Sequence, residues 1–262
     1  MLIASWNVNS ISVRLPHLLS FLEQWKVDHL GLQELKCTDD KFPYSQLSEI
    51  GYSSHVKGEK TYNGVALLSR NNSEQSCELF ADVLPGAPDP QQSRLIAVHL
   101  PDCDLNILNL YVPNGSAVGS EKYEYKLKWF EALLSFVETS YRRDARLIIM
   151  GDFNIAPTDL DVHDPELWKD QVLVSQPERE CFSRLLDLNL VDSFRALNPE
   201  AGLFSWWDYR QMAFRRNHGL RIDHILVSRP LMPLVKKVWI EKAPRKLEKP
   251  SDHAPVVIEL DL

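Results

Sequence analysis

Near the C-terminus of this 262-residue chain, Ser251-Asp252-His253-Ala254-Pro255 sets a carboxylate beside an imidazole in a Pro-bounded loop, ahead of the apolar run Val256-Val257-Ile258. Such a pair can accept and donate protons, although the same residues also describe a capped turn. Its company weights the loop towards chemistry. Apolar Ile148-Ile149-Met150 runs straight into Gly151-Asp152-Phe153-Asn154, where glycine permits close backbone approach. Asp152 and Asn154, two apart, face one side if the strand continues. Glu34 closes another apolar run, and Asn7 follows Trp6 in a third. Taken singly, each is also an ordinary strand end meeting solvent. Yet Asn7, Glu34, Tyr111, Asp152, Asn154, Asp223 and Asp252 all fall at or near such ends, where a sheet holds reactive side chains rigidly.

The elements behind them come from patterning. Strand-like runs occupy 2–8, 27–33, 64–70, 94–100, 105–112, 146–152, 203–208, 222–227 and 256–260. Helical spacing appears in Leu15, Leu18, Leu19, Leu22 and Trp25, with Pro16 suited to a first turn. It recurs in Leu127, Phe130, Leu133, Leu134 and Val137, and again in Phe182, Leu185 and Leu186 after Pro177, with Asn189 as a stop. Strands outnumber the crossovers needed for a fully parallel sheet, which predicts two packed sheets flanked by helices. With 44% hydrophobic residues and no repeat or linker, residues 1–262 read as a single domain. The apolar stretches are too short for a bilayer and the first residues lack a basic leader, so a cytoplasmic protein with no membrane attachment is expected. Cys37, Cys77, Cys103 and Cys181 show no CxxC pairing and read as reduced thiols.

In order along nearly the whole chain stand Trp6-Asn7-Val8-Asn9, Leu32-Gln33-Glu34-Leu35-Lys36, Asn63-Gly64-Val65-Ala66, Tyr111-Val112-Pro113-Asn114-Gly115 and Gly151-Asp152-Phe153-Asn154. Trp206-Trp207-Asp208-Tyr209-Arg210, Gly219-Leu220-Arg221-Ile222-Asp223 and the Asp252-His253 loop follow. This set resembles the endonuclease/exonuclease/phosphatase superfamily, most closely its exonuclease III branch of abasic-site endonucleases. The resemblance implies a DNase I-like α/β four-layer sandwich of two mixed sheets. It also implies a monomeric, Mg²⁺-dependent DNA repair nuclease, with Mn²⁺ as a substitute. The substrate would be double-stranded DNA carrying abasic sites or 3′ ends, cut as endonuclease, 3′→5′ exonuclease or 3′-phosphatase.

By that resemblance Glu34 holds the metal, with Asn7, Asp152, Asn154, Asp252 and His253 as direct or water-mediated partners. Asp152 aligns and deprotonates the attacking water, Asn154 holds that water or a phosphate oxygen, and Asp223 pairs with His253 so that the imidazolium donates to phosphate. Tyr111 adds a phenolic hydrogen bond and Asn114 a polar contact. The residue types suit the reaction, since a phosphodiester needs its charge neutralised, a water oriented in line and the leaving 3′ oxygen stabilised. Mg²⁺ prefers a few protein oxygens and keeps several waters.

A net charge of −7 argues against indiscriminate coating of nucleic acid but leaves room for a local basic face. Arg210, Arg215, Arg216 and Arg221, interleaved with Trp206 and Trp207, are expected on a DNA-facing loop, whereas Lys236 and Lys237 read as a solvated face. The resemblance makes Trp206, Leu220 and Ile222 the lining of a small apolar pocket for a flipped base-less sugar. Leu220 stands where some relatives carry a large aromatic, and Leu173, within the variable stretch 168–175, is expected to crowd that pocket. A catalytically inactive DNA-binding scaffold of the same fold is the alternative, disfavoured because every expected polar residue is present. A lipid or inositol phosphatase is disfavoured by the Trp206 and Gly219 motifs.

Overall fold

The computed structural model describes residues 1–71 and 76–262. Among these described residues, twelve strands form two six-stranded sheets. The first contains β1 (Leu2–Asn7), β2 (His29–Gln33), β3 (Tyr52–Lys57), β4 (Val65–Arg70), β11 (Val235–Ile240) and β12 (Val256–Leu260), in the order β11-β12-β1-β2-β4-β3. The second contains β5 (Glu78–Ala81), β6 (Leu95–Leu100), β7 (Leu105–Tyr111), β8 (Arg146–Asp152), β9 (Leu190–Asp192) and β10 (Asp223–Ser228), in the order β5-β6-β7-β8-β10-β9. Each is mixed, with one parallel pair at its heart, β1 with β2 and β7 with β8. The helices are α1 (Ile11–Trp25), α2 (Tyr44–Glu49), α3 (Glu121–Ser140), α4 (Pro165–Trp168), α5 (Gln176–Asp187), α6 (Ser193–Leu197) and α7 (Ala213–Arg216). Among the described residues no helix is long and apolar enough to cross a membrane.

Period-two alternation sorts the layers. Ile148, Met150, Ile107 and Ile225 of the second sheet meet Ile3, Val65, Leu67, Val256 and Ile258 of the first in a core between the sheets. Their neighbours Leu147, Ile149, Leu108 and Leu226 face outward onto Phe130 and Leu133 of α3 and Phe182 and Leu185 of α5. On the opposite side Ala4, Trp6, Ala66 and Leu68 pack on Leu18, Phe21 and Leu22 of α1. The result is the four-layer sandwich that the strand count and the motif set imply. One polar tie crosses the inner core, where Gln33 donates to Ser5 Oγ at 3.1 Å and Asn109 Oδ1 at 2.6 Å. Gly31 makes room for that tie, because a Cβ there would meet Asn109 at 2.5 Å.

Two expectations are corrected. Residues 203–208 form no strand, only isolated bridges from Trp206 to Leu220 and His253. Helix α1 starts at Ile11, so Pro16 lies inside it rather than in its first turn.

Candidate active site

The two sheets bring their strand ends together at one mouth. Asn7 ends β1, Glu34 follows β2, Tyr111 and Asp152 end β7 and β8 side by side, and Asp223 opens β10 opposite Asp152. Asn7 Nδ2 ties the sheets together, donating to Glu34 Oε1 at 2.8 Å and Asp152 Oδ2 at 2.9 Å. Glu34 sits at φ +52° and Asn154 at φ +51°, left-handed backbone that costs on the order of 1 kcal/mol each and recurs at functional sites. The strand does not continue through Asn154; a tight turn brings it back instead. Its N–H donates to Asp152 Oδ1 at 2.9 Å, its amide reaches Asp152 Oδ2 at 3.3 Å, and Asn114 Nδ2 donates to its Oδ1 at 3.1 Å. Gly151, at φ +146°, permits this, because any Cβ there would lie on the Leu110 carbonyl oxygen.

His253 is buried between carboxylates. Its Nδ1 lies 2.9 Å and 3.1 Å from the two oxygens of Asp223, and its Nε2 is 3.8 Å from Asp152 Oδ2. Burial pulls the imidazole pKa down, but Asp223 and then Asp152 overcome it and push it up to about 10. At neutral pH His253 is therefore an imidazolium, with Nδ1–H held by Asp223 and Nε2–H free to donate. Burial also pushes Asp152 up to about 7; the His253 charge opposes this, while Asp223 and Glu34 add to it. Before a cation binds, its proton affinity thus lies near neutrality, a value suited to a general base. Burial, reinforced by Glu34 and Asp152, holds the Tyr111 phenol well above its ordinary pKa, so it remains a donor.

Oxygen atoms of Glu34 and Asp152 and a nitrogen of His253 lie within 4.8 Å of one another. Two hard carboxylate oxygens suit a divalent cation that keeps most of its waters. The imidazolium is a poorer ligand, since metal binding needs its free base. Asn7 turns its nitrogen to the carboxylates and accepts the Asn9 N–H on its Oδ1 at 2.9 Å, so here it acts as a bridge between Glu34 and Asp152. Asp252 lies outside the cluster. Its oxygens accept from Asn9 Nδ2 at 2.8 Å and Trp206 Nε1 at 3.0 Å, linking the Asn7 and Glu34 side of the mouth to the aromatic side.

Residues 4–253 match the profile of the Endonuclease/Exonuclease/phosphatase family. The chain belongs to this family. It is 37% identical over 265 residues to the exodeoxyribonuclease III of Haemophilus influenzae, covering 97% of this chain and 98% of that protein. Among solved structures it is similar to a 3′ phosphatase from Neisseria bound to a product DNA hairpin, at 44% identity, TM-score 0.93 and full coverage of both chains. It is similar also to an AP endonuclease from Archaeoglobus fulgidus, at 34% identity, TM-score 0.94 and full coverage of both.

In this family member the expected DNA-facing arginines divide. Arg215 and Arg216 are exposed, and Arg210 is exposed but paired with Asp208 at 2.6 Å. Arg221 is a correction. It is fully buried, bonded to Asp161 and Asp192 at 2.6 Å each and to His224 at 2.9 Å, and so cannot touch DNA. Its alternation with Leu220 and Ile222 sends it into the second sheet's flank, where two carboxylates offset the burial of its charge. Leu220 and Ile222 are buried as well, in a small core with Leu173, Val162 and Val174 that Trp168 and Trp206 cover. Beside it opens a cleft of about 440 Å³ walled by Trp168, Trp206, Arg210, His163 and His218. A second cleft of about 590 Å³ lies on the other flank, against Tyr111, Asn114, Arg94 and Tyr62. Sequence reasoning missed Asn9 and Lys36. Lys36 Nζ sits 2.9 Å from Glu34 Oε2 and 2.6 Å from Asn9 Oδ1, balancing the Glu34 charge. Both residues stand inside the motifs that carry the resemblance, so their proximity to Asn7 and Glu34 was the available signal.

Proposed function

We propose that this protein is a Mg²⁺-dependent nuclease of the DNA repair type that works chiefly at 3′ ends of duplex DNA. As a member of the exonuclease III branch it is a phosphodiester hydrolase; the preference for 3′ ends over abasic sites is the finer reading. The observation that carries it is the filled hollow: Leu220, Ile222 and Leu173 are buried against one another, and Trp168 stands edge-on to Trp206 at 6.4 Å. These side chains fill the space behind Trp206, so a flipped sugar would have to enter the neighbouring cleft of about 440 Å³, whose walls include Arg210, His163 and His218 and are not the small apolar recess such a sugar prefers. The 44%-identical Neisseria structure is a 3′ phosphatase, which points the same way.

The chemistry follows from the mouth. A cation held by Glu34 and Asp152 would neutralise phosphate charge and the departing oxygen. Asp152 takes a proton from the water, whose oxygen attacks phosphorus in line as the bond to the leaving oxygen breaks. His253 Nε2–H and the Tyr111 phenol donate to the phosphoryl oxygens, Asp223 fixes the imidazolium, and Asn154 and Asn114 hold the water and phosphate. The two clefts on either side give the strand a path across the mouth, with Arg215 and Arg216 supplying local positive charge. Action as a monomer and residence in a reducing cytoplasm, consistent with four free cysteines, complete the reading.

The test uses three duplexes, carrying a 3′-phosphate, a recessed 3′ end and an abasic site, each with Mg²⁺, Mn²⁺ or EDTA. We expect metal-dependent release of phosphate and nucleotides at 3′ ends and abasic incision at least about tenfold slower, a difference of some 1.4 kcal/mol. Abasic incision as fast as 3′-end processing overturns the preference. Binding without cleavage under every metal condition would instead establish the inactive scaffold.

A further inference from the structure

Between the second sheet's helices, outside the catalytic mouth, lies a buried ammonium–carboxylate pair. Lys126 of α3 and Glu178 of α5 are both inaccessible to solvent. An ammonium has three protons to place, and Lys126 places them on the Glu178 carboxylate, on the Asn154 carbonyl at 2.6 Å and on the Asn114 carbonyl at 3.2 Å. These carbonyls belong to the two asparagines of the mouth, both set in irregular backbone. Asn154 is left-handed, and Gly115, at φ +95°, lies so close over the lysine stem that a Cβ would meet it at 3.2 Å.

Glu178 looks the other way. It accepts from the Leu173 N–H at 3.1 Å, the Ser175 N–H at 3.2 Å and the Ser175 hydroxyl at 2.6 Å. That serine also bonds Tyr123 Oη at 2.6 Å. Stability alone does not require such a pair, since apolar residues of similar volume commonly replace a buried ion pair without loss. An apolar residue cannot, however, hold two carbonyls at once. Nor could a surface lysine, whose stem would be free to move.

We propose that Lys126 is a positioning residue for hydrolysis, pinning Asn154 and Asn114 around Asp152 and, through Glu178, locking them to the 173–175 segment behind the aromatic wall. Asn154 transmits the effect, because its N–H and amide are two of the three groups that hold Asp152, the Asn7 amide being the third. The inference rests on Asn154 and Asn114 belonging to the active site.

Lys126→Met alone strands the Glu178 carboxylate and can fail to fold, so Lys126→Met/Glu178→Leu and Lys126→Arg accompany it. In the double variant we expect the melting temperature to return towards that of the parent while kcat on 3′-phosphate DNA stays down by about 10–100-fold, the scale of a misplacement of order 1 Å. KM for DNA should move less than about threefold, the pattern of a lost transition-state interaction. Lys126→Arg keeps the charge but not the reach, and should fold with reduced kcat. A double variant with both parental melting temperature and parental kcat overturns the proposal, as does failure of every Lys126 variant to fold, which would make the pair purely structural. Asn154→Ala separates the two levels. If it is fully active, the site reading fails; if it is impaired while the Lys126 variants are not, only the positioning role fails.

Discussion

Replacing Asp223 by Asn tests the electrostatics of the mouth most directly. Both Asp223 oxygens face His253 Nδ1, at 2.9 and 3.1 Å, and this carboxylate is the first of the charges that outweigh burial and hold the imidazole up to about 10. Asparagine keeps the shape and removes the charge. If the histidine falls back only to its ordinary pKa of about 6.5, its charged fraction at pH 7.5 drops from near unity to about one tenth. Protonation alone thus costs about tenfold, and loss of the enforced tautomer brings the deficit to about 10²–10⁴-fold. The assay is kcat against pH from 6 to 10 on 3′-phosphate DNA at saturating Mg²⁺, with DNA affinity measured in parallel by fluorescence anisotropy. In the parent, activity should rise from pH 6 as Asp152 ionises and then hold until the pH approaches about 10; in Asp223→Asn it should already decline above about pH 7. DNA affinity should change little, since both groups of the pair are buried rather than presented on the surface. An unmoved alkaline limb would refute the argument, and affinity falling in step with turnover would assign Asp223 to folding instead.

Arg221→Met should lower stability by about 3–5 kcal/mol in urea melts, because Asp192 is left buried without an ion-pair partner and Asp161 keeps only Arg195, yet leave the salt dependence of DNA binding unchanged. Burial opposes ionisation of Asp161, but Arg221 and Arg195 hold its pKa down to about 2. A depressed carboxylate stabilises the fold above its unfolded value near 3.9, and that contribution, about 2–3 kcal/mol, should disappear as pH falls from about 4 to about 2 in acid-series urea melts. Leu173→Gly suits the left-handed backbone at φ +78° and empties part of the filled hollow, so the ratio of abasic incision to 3′-end trimming should rise. An unchanged ratio would remove Leu173 from substrate choice. Gly151→Ala should lose fold and activity together, seen by circular dichroism and turnover, because its Cβ has no space beside Leu110.

The strands read directly from the sequence are mostly the inner ones, β1, β2, β4, β6, β7, β8, β10 and β12, found within a residue or two. The four that patterning missed, β3, β5, β9 and β11, are the four edges of the two sheets. Edge strands bury one side at most and carry polar or charged residues against unwanted pairing, as Ser53, Ser54, Lys236 and Lys237 show, so they lack the apolar run by which a strand is recognised. The false strand at 203–208 arose the other way: Phe204, Trp206 and Trp207 are apolar because they cover the site and a small satellite core, with no ladder to join.

For the candidate site, Gly151-Asp152-Phe153-Asn154 was legible because close backbone approach leaves a local residue signature, and His253 because an imidazole beside a carboxylate in a Pro-bounded loop stands out, although that neighbour is not its partner. Order along the chain also sufficed for the family and the sandwich. What the chain could not disclose was direction and partnership. Arg221 lies between two apolar neighbours in a basic, aromatic segment, and only the packing of β9 and the Asp161 turn shows that its charge points inward. Asp252 adjoins His253 in sequence, yet its oxygens serve Asn9 and Trp206, while the histidine's partner is Asp223, thirty residues away. Lys126 reads as one charge on an amphipathic helix until α5 brings Glu178 to it. Backbone geometry and apolar periodicity are local and are written in adjacent residues; the sign of a pKa shift and the reach of an ion pair depend on which distant charges the fold places within a few ångströms.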